Sequence, residues 1–117
     1  MSSEGTEEEL TAVNQLERYR KLEREIKSHR NYLRVIQHLI KIEERAIEIQ
    51  HRILEECKNT SPHIRYSLQN CSTNIWNHQA CLLSYQSQEE VTKHLINTFK
   101  FQLQDLQLQG YKGGLDC

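Results

Sequence analysis

Cys71, His78 and Cys81 stand at i, i+7 and i+10, with Cys57 and His63 a short way before them. On a helix that spacing puts the first three on roughly one face, and thiolate with imidazole is the donor set of zinc. Zinc sites want closely spaced ligand pairs and a tetrahedral fourth ligand, and only His78-x2-Cys81 approaches such a pair. The simpler reading makes Cys71 a small core hydrophobe and Cys81 a flank residue, so neither a metal nor a cofactor is expected. The other histidines, His29, His38, His51 and His94, add no closely spaced ligand pair.

Glu43 and His78 could pair as carboxylate and imidazole. Nucleophilic catalysis would also need a nucleophile, a third orienting group and a concave pocket. Two thin helices make no such pocket, and a polar pair that fixes register explains both residues, so a non-enzymatic protein is expected.

The stretch "ERYRKLEREIKSHRNYLR" carries Arg18, Arg20, Lys21, Arg24, Lys27, Arg30 and Arg34 against Glu17, Glu23 and Glu25. A basic helix face of this kind could bind nucleic acid or an acidic partner. Interleaved acids suggest instead a solvated helix with pairs at i, i+4, Glu17 with Lys21 and Glu23 with Lys27.

These residues need elements to hold them, and composition says which. The chain has 117 residues, room for one small domain. With Gly 4 and Pro 1 it lacks the turns that a sandwich or barrel needs every 8 to 12 residues or so. Abundant Glu, Gln, Leu, Arg and Lys favour helix. Net charge is -1, so no global field draws the chain to nucleic acid or membrane. No apolar run approaches the roughly 18 residues of a membrane span, and "MSSEGTEEEL" lacks the basic and apolar regions of a secretory signal. An intracellular protein, cytoplasmic and cytoskeleton-associated or nuclear, with cysteines as thiols, is the expectation.

Residues 1–5 read as a disordered N-terminus. Thr6 with Glu9 forms a capping box, and Glu7 and Glu8 suit a first turn, so a helix is predicted over 6–57. Tyr19, Leu22, Ile26, His29, Leu33, Ile36, Ile40, Glu43, Ile47, Gln50, Leu54 and Cys57 follow steps of three and four, a heptad seam. A second stripe runs beside it through Val35, Leu39, Ile42, Ala46, Ile49 and Ile53, wide enough to touch more than one neighbour.

The lone proline, Pro62, follows Ser61, a good N-cap, and Pro is accepted at the first helical position. Residues 58–61, "KNTS", have turn chemistry and the length of a connection between antiparallel helices. A second helix is predicted over 62–109, with Ile64, Leu68, Cys71, Ile75, His78, Leu82, Tyr85, Glu89, Thr92, Ile96, Phe99, Leu103 and Leu106 keeping the same step. Gly110 ends it, and 110–117 read as a flexible tail.

The predicted fold is all-α, a long antiparallel helical hairpin with coiled-coil packing. A three- or four-helix bundle, broken near 28–31 and 84–87, is the alternative, since Ser87 and Glu90 could cap a new helix. Facing residues should have numbers summing to about 121. That register places Ile40 by Leu82, Ile36 by Tyr85, Ile53 by Leu68, Gln50 by Cys71, and small Ala46 against large Trp76. It also sets Glu43 opposite His78.

The two helices differ in charge. The second holds only Arg65, Lys93 and Lys100 against Glu89, Glu90 and Asp105, with Gln, Asn, Ser and Thr elsewhere. Charge is depleted where helices are covered, and an isolated two-helix hairpin has a thin core. The expected function is a non-enzymatic scaffold or adaptor subunit acting by helix–helix association in a multi-protein assembly, cytoskeletal, centrosomal, kinetochore, tethering or meiotic in kind. Partners would be other coiled-coil or helical proteins, or a second copy completing a four-helix bundle. Val35, Leu39, Ile42, Ile49, Ile53, Trp76, Leu83, Val91, Leu95 and Phe101 are the candidate partner-binding residues, with Tyr66 beside them. Nucleic-acid binding through the basic stretch at 18–34 is the alternative.

Overall fold

The computed structural model describes residues 3–58 and 65–109, with side-chain surroundings for 8–58 and 68–109. These residues form two α-helices, α1 (Ser3–Lys58) and α2 (Arg65–Leu108), in an all-α antiparallel hairpin. Neither helix is interrupted near 28–31 or 84–87, so the bundle of shorter helices does not form. Ser87 and Glu90 lie inside α2, and the unbroken apolar phase outweighs their capping potential.

Helix α1 starts at Ser3, upstream of position 6, so residues 3–5 are helical and the Thr6–Glu9 box is interior. Gly5 is the one residue there that resists helix, at a cost of about 1 kcal/mol. At the other end α1 includes Lys58, one residue beyond expectation, and its cation suits the last turn. The proposed N-cap at Ser61, Pro62 and most of the turn lie outside the described residues, as do Ile64 and the 110–117 tail. Helix α2 closes with the Gln109 N–H donating to the Asp105 carbonyl at 3.0 Å, just before Gly110.

The chain divides into two compact units, each pairing a stretch of α1 with a stretch of α2. Leu33–Val91 forms one. Its buried core is Ile36, Ile40, Cys71 and Ile75, flanked by half-buried Leu33, Ile47, Leu54, Leu82 and Tyr85. In the other unit, Met1–Tyr32 with Thr92–Cys117, the core is Leu22, Ile26, Thr92, Ile96 and Leu106. All of these are seam positions, so the three–four step selects what is buried. The second unit also pairs two rings, His29 and Phe99, with centroids 5.3 Å apart. The Nδ1–H of His29 donates to the Glu25 carbonyl one turn back at 2.7 Å, which fixes that ring.

One expected contact fails. Trp76 is 71% exposed, so it does not interdigitate with half-buried Ala46. Position 76 follows the seam residue Ile75, and one residue turns the side chain about 100° away from the partner helix.

A candidate helix-docking surface

Glu43 and His78 meet across the Leu33–Val91 unit. The Nδ1–H of His78 donates to Oε2 of Glu43 at 2.6 Å. Their side chains are 16% and 35% exposed respectively, so the bond sits at the edge of the seam. Of the residues with ligating chemistry nearby, Cys71 is buried one heptad before His78, and Cys81 is exposed on the flank. Among the described residues no group of three or more His, Cys, Asp or Glu is placed to hold a metal. Lys41, Glu44, Arg45, Glu48 and Arg52 line a shallow depression, but all five stand on one helix, so its walls are exposed side chains of α1 alone.

The off-seam apolar residues make the larger feature. Val35, Ile42, Ile49 and Ile53 are exposed, and Leu39 and Ala46 between them are half-buried. Each stands one residue before a seam residue, so the row lies about 100° round α1 from the face that packs on α2. In an antiparallel pair the second helix both runs backward and faces backward, and the two reversals cancel. The flank one residue before the seam therefore falls on the same side of both helices. On α2 within this unit that flank is Asn70, Asn74, Asn77, Cys81, Ser84, Gln88 and Val91 among the described residues, with no charged residue. The Gln88 Nε2–H donates to Ser84 Oγ at 3.3 Å along it.

This geometry divides the sequence-predicted partner residues. Val35, Leu39, Ile42, Ile49, Ile53 and Val91 share one side of the unit. Trp76 and Leu83, exposed at 71% and 68%, follow seam residues and lie on the opposite side, with Lys41, Glu44 and Glu48 of α1. Leu95 and Phe101 belong to the other unit. Leu95 flanks the seam, while Phe101 points away from it, seven residues before exposed Leu108. Leu108 escaped the sequence reading, although its heptad spacing from Phe101 was a usable signal.

Arg18, Arg20, Lys21, Arg24, Lys27, Arg30 and Arg34 are all exposed, but they do not make one face. Arg20, Lys27, Arg30 and Arg34 occupy one flank of α1, Arg18 and Lys21 the other, and Arg24 the back. On the first flank Lys93 and Lys100 of α2 fall on the same side as Arg20, Lys27 and Arg30, beside the acid Glu23. The charge-poor sequence of α2 had hidden the part these two lysines take.

Compared with family models, curated proteins and solved structures, the chain shows no match. No helix among the described residues is long and apolar enough to cross a membrane.

Proposed function

We propose that this protein is a non-enzymatic scaffold or adaptor subunit that works by helix–helix association with other helical proteins. One observation carries the reading: an apolar row with heptad spacing, Val35 to Ile53, in which Val35, Ile42, Ile49 and Ile53 stay exposed. A row repeating in steps of three and four is complementary to the seam of another helix. With half-buried Leu39 and Ala46 between the exposed members, the row is continuous along about five turns, unlike the single exposed apolar residues normal on any surface. The uncharged flank of α2 beside it is the composition expected of a surface that a partner covers. Seam polars such as Glu43 and His78 fix the register of the hairpin, and so the placing of the docking row.

Recovery of the protein from its own cells at moderately high salt tests this. Stoichiometric helical partners that are lost with Ile42→Asp support the reading. A folded chain that comes through alone counts against it.

A second reading has its own observation, the cluster of Arg20, Lys27 and Arg30 with Lys93 and Lys100 on one side of their unit. Such a surface suits a polyanion. Nucleic-acid binding there would fall steeply with salt and with Arg20→Ala plus Lys27→Ala, while apolar docking would survive both.

A further inference from the structure

Resting on the docking reading above, we infer the chemistry of the occupant: an amphipathic helix from another protein, apolar along one stripe and acidic along one edge. The Leu33–Val91 unit supplies three parallel strips that specify it. The middle strip is the apolar row from Val35 to Ile53, about 27 Å long at 1.5 Å per residue, matching a helix of roughly 18 residues. On the far side of that row from α2 stand His38, Arg45 and Arg52, all exposed and seven residues, about two turns, apart. Toward α2 stand Asn77, Cys81, Ser84 and Gln88, which carry no charge.

A helix lying over the row must present its two edges to these unlike strips. The edge over Arg45 and Arg52 gains from Asp or Glu and loses from Lys or Arg. The edge over Cys81 and Ser84 must be small or uncharged, since a charge there would be desolvated without a partner. Arg52 already contacts Glu48 of its own helix at 2.9 Å, but that pair is fully at the surface and exchanges readily for a better acceptor.

The same strips argue against a second copy docked antiparallel as occupant. Two copies docked antiparallel through this row would pair Ile42 with Ala46 and Leu39 with Ile49, an acceptable apolar fit. They would also set Arg45 against Arg45. A repulsive edge of this kind is how coiled coils exclude a wrong partner.

The test uses two synthetic 21-residue peptides with the same leucine heptad stripe. One carries Glu along a single edge and the other Lys, with Gln on all remaining surfaces. Binding to the full chain is read by fluorescence anisotropy, and its oligomeric state by sedimentation. The expected result is a monomeric chain that binds the Glu peptide at least about tenfold more tightly than the Lys peptide. Arg45→Glu with Arg52→Glu should reverse that order, and Ile42→Asp should abolish binding of both while helix content holds. Equal binding of the two peptides overturns the acidic occupant but leaves helix docking standing. Absence of binding by either overturns both. A dimer that Ile42→Asp dissociates assigns the row to a second copy and overturns the inference.

Discussion

The Nδ1–H of His78 donates to Glu43 Oε2 at 2.6 Å, joining residues 35 positions apart on the two facing helices. Both interrupt seams that are otherwise apolar. Such a pair stabilises little against an apolar pair of equal size, but it penalises every register that separates the two. Glu43→Ala should lower stability by about 1 kcal/mol, the low end for a stranded polar group because His78 keeps some access to water. Glu43→Leu with His78→Leu should recover that loss. A four-member urea-unfolding cycle measures the coupling, and strict additivity would mean the bond contributes nothing.

Burial ranks the apolar residues along α1 more finely than hydrophobicity does. Ile36 is 1% exposed and Ile42 is 49% exposed, though both are isoleucines on the same helix. Ile36→Ala should therefore cost about 2–5 kcal/mol, the range for emptying a packed site. Ile42→Ala should cost about 0.5 kcal/mol, as at most surface positions. Comparable shifts in their urea midpoints would show that the row at Ile42 is part of the core and not a surface.

The phase of the apolar residues made the hairpin legible from sequence, and the position of the turn predicted at 58–61 made the Glu43–His78 pairing legible, because a step of three and four alone repeats every seven residues and only the turn selects among those registers. Two things were not legible. The ends of α1 depend on weak terms, since Gly5 and Lys58 sit where a fraction of a turn is decided by about 1 kcal/mol. The division of the off-seam residues needed both the antiparallel sense and the offset of each residue from the seam. Trp76 and Val35 look equivalent as apolar residues beside a seam, yet one follows a seam position and the other precedes one, which puts them on opposite sides.

Trp76 is the sole tryptophan and is mostly in water. Its emission should be that of a hydrated indole and should be quenched freely by iodide. Docking of a helix on the Val35–Ile53 row should leave both properties unchanged, because Trp76 lies on the opposite side of the unit. A blue shift on docking would place the partner over Trp76 and Leu83 instead. Trp76→Ala should change stability by less than about 0.5 kcal/mol.

Cys81 reports the same surface from α2, and buried Cys71 is its internal control. Cys81 is exposed on the flank beside the docking row, and Cys71 is buried in the seam. Accessibility limits thiol alkylation when the group must first be uncovered, so iodoacetamide should modify Cys81 readily in the native chain and Cys71 only on unfolding. Peptide mapping by mass spectrometry separates the two sites. A helix over the row should slow modification of Cys81 by an order of magnitude or so as its site fills, while Ile42→Asp restores the original rate. Modification of Cys81 at an undiminished rate in the presence of bound helix would mean that the occupant lies on α1 alone, without reaching the uncharged flank of α2.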